Sequence, residues 1–369
     1  MQDAGLYSRH PSGDPLLKPY AHYLKSTLGL RNHGQDVDTV ARFLYFMNPQ
    51  CACLDFVNDI EKVQSYFDKL LEVNLSHQTR LNCIQRIRRF VKYNMRSTNL
   101  SIRQPELYKK CKFFLIATED IQKILSKRLS RDRVDKRYAA LSQKSPSPSE
   151  CRAVLRDAKS MFLKCIAQAR ANCATSYQQT EIILYLECLL VLKHLQRPGV
   201  GEWDERIHHE YEGQKLCVIG VRTHKTSTQQ VAAFALDNDE ESWFQAYYET
   251  VRPLLTRSDE YDPMAKFFLS SVGTERHTVS RDIKSYQTKY NLPDISSQVV
   301  RKVCETWTLA RYTDPEKSLF AKYLAHTNSM AERHYREKVL DDICHGYKLV
   351  KRSCGSDAGQ TTAAAGPPG

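Results

Sequence analysis

The stretch Tyr323-Leu324-Ala325-His326-Thr327-Asn328-Ser329-Met330-Ala331-Glu332-Arg333-His334-Tyr335 is the most informative part of the chain. Its pattern predicts a helix that ends near Leu324-Ala325-His326, then a short polar turn, then a tyrosine nine residues after the histidine. With 12 histidines and 20 tyrosines in 369 residues, this spacing alone arises easily by chance. The segments that precede it must therefore decide what it means.

Three earlier segments place charged residues beside predicted helices and strands. Gln196-Arg197-Pro198-Gly199 follows a strongly apolar predicted helix. Thr223-His224-Lys225-Thr226 lies in the polar turn of a predicted β-hairpin. Ser297-Gln298-Val299-Val300-Arg301-Lys302 opens a later predicted helix. Each segment is unremarkable alone, but their order along the chain is specific.

In this order the segments resemble the catalytic domain of tyrosine recombinases, the phage-integrase-like enzymes that break and rejoin DNA. The resemblance is closest to the recombinases of eukaryotic mobile elements such as Cryptons. That family places an arginine after such a helix, a lysine in such a hairpin, His-x-x-Arg on a later helix, and Leu-Gly-His before the nucleophilic tyrosine. The resemblance implies a catalytic set of Arg197, Lys225, Arg301, His326 and Tyr335.

These residue types suit the chemistry that the resemblance implies. Attack by Tyr335 on a phosphodiester would form a 3′-phosphotyrosine bond, which stores the energy of the broken link. Rejoining then needs neither ATP nor metal, so we expect no cofactor. Arg197 and Arg301 would offset the charge that develops on the phosphate oxygens. His326 would hydrogen-bond the phosphate, and Lys225 would protonate the departing 5′ oxygen.

Gln298 departs from the family pattern, because the family most often has histidine there. A glutamine hydrogen-bonds a phosphate but does not exchange a proton near neutral pH. Two hypotheses follow. Either the position chiefly orients the phosphate and cleavage survives, or the chain descends from a recombinase and now only binds DNA.

Each catalytic assignment has a structural alternative. Arg197, before Pro-Gly, is also suited to the C-terminal end of a helix, where a cation is favoured. Lys225 is equally typical of an exposed hairpin residue, and Arg301 of a solvated helix charge. His326 fits a structural helix-end turn, and Tyr335 fits core packing. Only the order of these five residues along the chain favours a catalytic role.

Positive charge is concentrated in one segment of the chain. The formal net charge is +12, and residues 80–144 alone hold eighteen Lys or Arg against five Asp or Glu. Such a concentration in a helical region is typical of a protein that binds the phosphate backbone of duplex DNA. An acidic protein partner or an ordinary solvated surface are the alternatives. The candidate DNA-binding residues are Arg80, Arg86, Arg88, Arg89, Lys92, Arg96, Lys109 and Lys110.

The first half of the chain is predicted to be a helical bundle at 14–141. Ser76 is a candidate N-cap, and the helix after it has a regular apolar stripe that leaves its arginines partly off the buried face. The bundle resembles the core-binding domain of tyrosine recombinases, which clamps one side of duplex DNA. Its predicted helices are 38–47, one beginning near 55, one beginning after Ser76, 105–125 and 131–141.

The second half is predicted to be a mostly helical catalytic domain at 150–350. A Ser/Pro-rich linker at 142–149 separates it from the bundle, since prolines there cannot continue a helix. Residues 1–13 and 351–369 are expected to be disordered. The predicted elements are helices 149–171, 180–195, 240–255, 278–290, 296–310, 315–325 and 330–347, and strands 215–221 and 230–236.

Composition excludes several classes of protein. The longest apolar run is too short to cross a bilayer, and the N-terminus has no basic region followed by an apolar one. The 12 cysteines are scattered, with one close pair at Cys51-Ala52-Cys53 and no second pair at metal-ligand spacing, so we expect reduced thiols and no metal site. The sequence therefore indicates an intracellular protein, with a nuclear location as the expectation for a DNA-binding chain.

The sequence thus predicts a mainly α fold with a small β-sheet. The expected function is cutting and rejoining of duplex DNA, and the family resemblance implies a homotetramer on two duplexes. The first alternative is a domesticated, catalytically weak or inactive protein that binds DNA and regulates. The second is a helical protein-interaction module.

Overall fold

Helices make up most of the structure, and the second half of the chain contributes one three-stranded antiparallel sheet. The predicted mainly α fold with a small β-sheet is confirmed. The computed structural model describes residues 5–30, 32–141, 145–198, 206–221, 232–256, 267–274, 276, 278–309, 311–336, 344 and 347–350. No helix in these ranges is long and apolar enough to cross a membrane. The chain divides into two units, Met1–Ala139 and Ala140–Gly369.

Unit 1 is a bundle whose apolar faces meet around aromatic rings. Phe43, Phe90 and Phe114 are fully buried, and Tyr20 packs edge-on against Phe90 with ring centroids 5.1 Å apart. Burial of such rings supplies most of the stability of a small bundle. Its helices are α1 (Leu17–His22), α2 (His33–Met47), α3 (Ile60–Glu72), α4 (His77–Ser97), α5 (Leu100–Arg103) and α6 (Pro105–Leu141).

Helix starts follow the polar residues that the sequence places before them. The Oγ of Ser76 accepts a hydrogen bond from the backbone N–H of Thr79 at 3.2 Å, which confirms Ser76 as the N-cap of α4. Asp59 caps α3 in the same way by accepting from the N–H of Lys62 at 2.9 Å. These caps fix where the bundle helices begin.

The helix α6 is one continuous element rather than the two helices predicted at 105–125 and 131–141. The sequence between the two predicted helices is mostly polar and contains Ser126 and Ser130. In the structure the hydroxyl of Ser130 donates to the carbonyl of Ser126, one turn back, at 3.0 Å. The serine therefore satisfies its hydroxyl within the helix, and the helix does not end there.

The N-terminal residues also differ from the expectation of disorder at 1–13. Within the described part of that segment, Leu6 is buried in the core of unit 1. The N–H of His10 donates to the carbonyl of Ala41, and its imidazole Nε2 lies 2.9 Å from the carbonyl of Asn48. These contacts hold the segment on α2.

Unit 2 contains nine α-helices with described bounds, further helical residues at 344 and 347–350, and the sheet. The predicted helix 149–171 is two helices after a short 3-10 turn. The predicted helix 330–347 ends as a continuous helix at His334, and residues 344 and 347 are helical again. The elements are α7 (Ala153–Asp157), α8 (Lys159–Arg170), α9 (Ser176–Cys188), β1 (Arg206–Tyr211), β2 (Gln214–Val221), β3 (Ala232–Leu236), α10 (Asn238–Ala246), α11 (Arg252–Leu255), α12 (Val279–Lys289), α13 (Ser297–Leu309), α14 (Asp314–Tyr323) and α15 (Asn328–His334).

The sheet has the order β1-β2-β3, and both pairings are antiparallel. Strands β2 and β3 are the predicted hairpin, with Val221 opposite Ala232. Their connection at 222–231 lies outside the described residues, and so does the expected tail at 351–369. Strand β1 was not predicted, because its sequence from Arg206 to Tyr211 is polar and shows no apolar alternation.

Aromatic packing joins three helices of unit 2, α8, α9 and α10. Phe162 of α8 stacks on Tyr185 of α9 with ring centroids 3.9 Å apart, and Trp243 of α10 meets Phe162 edge-on. The helical path of α9 continues through a π-helical turn at Leu189–Lys193, and the chain then turns at Leu195, whose φ is +57°. This turn carries the chain from the apolar helix to Arg197.

Candidate functional site

The turn after α14 determines where His326 lies. The N–H of His326 donates to the carbonyl of Ala321 at 3.1 Å, and the N–H of Ala325 donates to that of Lys322 at 2.9 Å. This is the Schellman pattern of a helix end, and it requires a left-handed residue at Ala325, where φ is +52°. Glycine is the residue that adopts such a φ without strain, and the alanine here holds the turn at some steric cost.

His326 is buried and both of its ring nitrogens have partners. Nε2 lies 2.7 Å from Oε1 of Glu305, and Nδ1 lies 3.3 Å from Nη2 of Arg301. A carboxylate only accepts and a guanidinium only donates. The neutral tautomer with its proton on Nε2 therefore satisfies both contacts. In this conformation neither nitrogen is available to a phosphate.

Arg301 joins three segments at the centre of the site. It is 3% exposed and donates from Nη1 to the carbonyl of Leu195 at 2.7 Å and from Nη2 to the carbonyl of Leu324 at 2.6 Å. Both acceptors lie at helix ends where carbonyl groups lack partners within the helix. The Nε of Arg301 is buried and has no hydrogen-bond partner among the described residues.

Tyr335 completes the cluster from the end of α15. Its ring stacks on that of His326, with centroids 4.9 Å apart and planes 9° apart. The guanidinium carbon of Arg301 lies 5.5 Å from the centroid of the same ring, within reach of a cation–π interaction. Tyr335 is partly exposed. The structure therefore brings Arg301, His326 and Tyr335 together, although they come from three separate elements.

Arg197 adds a second positive charge beside this cluster. Burial lowers the pKa of Arg301, the charge of Arg197 lowers it further, and Tyr335 and Glu305 act in the opposite direction. Arginine nevertheless stays charged in proteins. Arg197 is partly exposed and makes no ion pair or hydrogen bond within the described ranges. Two neighbouring guanidinium groups, neither of which pairs with a carboxylate among the described residues, favour binding of an anion.

The remaining two candidates are not part of the described cluster. Gln298 is exposed on the first turn of α13, and no hydrogen bond connects it to any residue that the structure describes. Lys225 falls in 222–231, outside the described residues.

Two residues of the cluster were missed by the sequence reasoning. Glu305 is fully buried, and its second oxygen accepts from the Nε of Arg336 at 3.1 Å. Arg336 also pairs with Glu332 on the surface of α15. Glu305 follows Arg301 by one helical turn, and this i,i+4 spacing was the available signal that both face the same site.

The candidate DNA-binding residues of α4 are largely engaged inside unit 1. Arg80, expected to contact DNA, is 4% exposed instead. Arg86 and Arg89 both pair with the buried carboxylate of Asp36 on α2, in the case of Arg86 at 2.7 Å. Arg88 donates to backbone and hydroxyl oxygens of α6, one of them the hydroxyl of Thr118 at 2.8 Å. These contacts stabilise the bundle and leave fewer free cations than the sequence suggested.

The exposed cations lie further along the basic segment. Lys92 and Arg96 are exposed on α4, and Lys110 is exposed on α6. Lys109 is exposed as well, but it pairs with Glu106 at 2.8 Å. Lys92, Arg96 and Lys110 are thus the members of the expected set that remain best suited to contact a phosphate backbone.

No protein-family model matches the chain, and no curated protein matches it. The features that indicate a function are therefore the arrangement of Arg197, Arg301, His326 and Tyr335 and the charge of unit 1.

Proposed function

We propose that the chain is a DNA-binding protein similar to tyrosine recombinases, which cuts and rejoins duplex DNA with Tyr335 as the nucleophile. The observation that carries the proposal is the meeting of Arg301, His326 and Tyr335 at one place in unit 2. These residues were selected from the sequence by motif order alone. If each of these residues had only a separate structural role, nothing would require the three to lie together.

The charge of the cluster supports a phosphate as the ligand. Its buried carboxylate, Glu305, is already bound to His326 and Arg336. Arg197 has no carboxylate partner within the described residues, and Arg301 retains an unpaired Nε. A phosphodiester would supply the missing negative charge and accept bidentate hydrogen bonds from guanidinium groups.

The reaction proposed for this site balances without a cofactor. The Oη of Tyr335 attacks the phosphorus, a phosphotyrosine bond to the 3′ side forms, and the bond to the 5′ oxygen breaks. The tyrosine loses its proton and the 5′ oxygen gains one, for which Lys225 is the proposed donor. The reverse attack by a 5′ hydroxyl restores the DNA and frees Tyr335.

A second candidate function is DNA binding without cutting, as in a domesticated regulatory protein. Two observations favour it: Gln298 stands where the related enzymes have histidine, and His326 has both nitrogens occupied. A cutting enzyme would have to release His326 from Glu305 or use it only to position Tyr335. The two candidates share the DNA partner and differ in whether a covalent adduct forms.

The decisive experiment uses duplex DNA that the full chain itself selects from a random-sequence pool. The selected duplex is then nicked to trap a cleavage product and analysed on a denaturing gel. The wild-type chain should form a covalent adduct, and Tyr335→Phe should abolish it while keeping DNA affinity, since the stacked ring is retained. Tyr347→Phe, at an exposed tyrosine twelve residues later, is the matched control and should keep the adduct.

The outcomes separate the candidates. Absence of an adduct from wild-type protein on DNA that it binds would support the non-cutting alternative, and an adduct that survives in Tyr335→Phe would refute Tyr335 as the nucleophile. If DNA affinity falls with salt concentration, Lys92→Ala should make the slope of log affinity against log salt concentration shallower. The expected change is about 0.9 for each phosphate that the variant no longer neutralises. Replacing Lys18, an exposed lysine outside the basic segment, should not. A chain without salt-dependent DNA affinity would refute both candidates in favour of a protein-interaction module.

A further inference from the structure

A second cluster of chemically reactive side chains lies on the sheet of unit 2. The cluster consists of His208 of β1, Cys217 of β2 and Glu241 of α10. Each side chain offers one ligand atom, and these three atoms lie within 4.8 Å of one another. His208 and Cys217 are direct partners in the antiparallel register, so their side chains project from the same face of the sheet. Helix α10 packs on β2 and β3 and brings Glu241 to that face.

We propose that His208, Cys217 and Glu241 form a zinc site with a fourth position open to water or another ligand. The three side chains offer an imidazole nitrogen, a sulfur and a carboxylate oxygen, which are the donors that Zn²⁺ takes in proteins. Three protein ligands and one open position is a common zinc arrangement. The site is independent of the function proposed above.

The donor set discriminates between metals. Mg²⁺ and Ca²⁺ prefer oxygen ligands and bind thiolate poorly. A sulfur and an imidazole together favour Zn²⁺ among the common divalent ions, and a carboxylate is compatible with it. The donor set therefore points to zinc rather than to Mg²⁺ or Ca²⁺.

The ligands are accessible to an ion from solvent. The side chain of His208 is 69% exposed and that of Glu241 is 20% exposed, whereas Cys217 is buried beneath them. Nε2 of His208 lies 2.8 Å from Oε1 of Glu241. Two ligand atoms at this separation need only a small outward shift to bind one ion.

Binding of the ion requires the protons on His208 and Cys217 to move. Without an ion, the imidazole Nε2–H donates to Glu241, and burial together with the Glu241 carboxylate raises the pKa of Cys217 to about 11. On binding, the His208 proton moves to Nδ1 and the thiol proton passes to solvent, so that one proton is released per ion. The bound ion would link the edge strand β1 to β2 and α10.

The sequence alone carries no signal for this site. The ligands are separated by nine and by 24 residues, far from the paired spacing of zinc motifs. Strand β1 has no apolar alternation, so its pairing with β2 could not be anticipated. Only the register places His208 opposite Cys217.

The test measures Zn²⁺ binding to the metal-free full chain by calorimetry, with Co²⁺ absorption as a second readout. Wild-type protein should bind one ion, and His208→Ala should weaken binding by more than the roughly 10–100-fold that loss of a supporting hydrogen bond costs a metal site. His209→Ala is the matched control, since His209 is the next residue of β1 and is also exposed. It should bind like wild type, and Glu241→Gln should bind weakly.

The Co²⁺ complex should show a thiolate charge-transfer band that Cys217→Ser removes. Equal binding by His208→Ala and His209→Ala would overturn the proposal, and so would a Co²⁺ complex without that band. Exposed cysteines such as Cys51 are present in both histidine variants, so any metal that they bind contributes equally to the two measurements. If Cys217→Ser does not fold, the two surface variants, His208→Ala and Glu241→Gln, still decide the result.

Discussion

Glu305 is the residue whose replacement should affect unit 2 most strongly among those of the candidate site. It is fully buried and accepts from His326 at 2.7 Å and from Arg336 at 3.1 Å. The Arg336 side chain is 2% exposed, and its Nη2 has no partner among the described residues. Glu305→Ala would therefore leave a buried cation with fewer partners and a buried imidazole N–H with none.

The expected cost follows from breaking a buried ion pair. Removing one partner of such a pair costs about 3–5 kcal/mol, because the other charge stays buried without compensation. The lower end applies here, since Arg336 keeps its contact with Glu332. At about 2–4 °C per kcal/mol for a unit of this size, a decrease of about 3 kcal/mol lowers the Tm by roughly 6–12 °C.

Glu332→Ala provides a matched control, because it removes the other carboxylate that pairs with Arg336. The side chain of Glu332 is 58% exposed, and an exposed ion pair contributes about 0–1 kcal/mol. Both variants remove one negative charge next to the same arginine. The comparison therefore isolates the effect of burial from the effect of charge.

Tryptophan fluorescence during urea unfolding is the appropriate assay. The three tryptophans of the chain, Trp203, Trp243 and Trp307, all belong to unit 2, so their emission reports on that unit alone. The fitted transition then describes one unit, as a two-state treatment requires. Equal destabilisation by Glu305→Ala and Glu332→Ala would contradict the role given to burial, and so would a decrease below about 1 kcal/mol for Glu305→Ala.

Two further predictions concern unit 2. Burial raises the pKa of Glu187 to about 7 from 4.5, so the folded state holds a proton that the unfolded state has lost. The stability that Glu187 contributes is complete below pH 4.5 and is lost as the pH rises to about 7. Glu187→Gln should therefore flatten the pH dependence of the free energy of unfolding measured in urea. An unchanged pH dependence would contradict the raised pKa of Glu187. Ala325→Gly should raise the free energy of unfolding by about 1 kcal/mol, because alanine is strained at a φ of +52°. A destabilised Ala325→Gly variant would show that the turn carries no such strain.

Local chemistry made many elements of the fold predictable. Ser76 caps α4 as its position suggested, and the alternating apolar residues of β2 and β3 pair in the expected hairpin. The break predicted within α6 was wrong, because the hydroxyl of Ser130 is satisfied inside the helix. Strand β1 was missed because the register with β2, rather than its own pattern, makes it a strand.

The candidate site was predictable in its members but not in their contacts. Motif order selected Arg301, His326 and Tyr335, which the structure brings together. The partners of Arg301 are carbonyls that lie more than twenty residues away along the chain, and no local pattern reveals them. The same limit affected Arg86 and Arg89, which looked free on α4 but pair with Asp36 on another helix.

The contacts of Arg301 restrict how a phosphate could bind at this site. Both Nη atoms already donate to carbonyls at helix ends, and displacing them would leave those buried oxygens without partners. The Nε–H of Arg301 and the second N–H of its Nη1 are the donors of this side chain that no described hydrogen bond uses. Arg197 adds a second positive charge that acts on Arg301. Because the ring of Tyr335 lies against the guanidinium of Arg301, an anion that reaches Nε must displace or contact this ring.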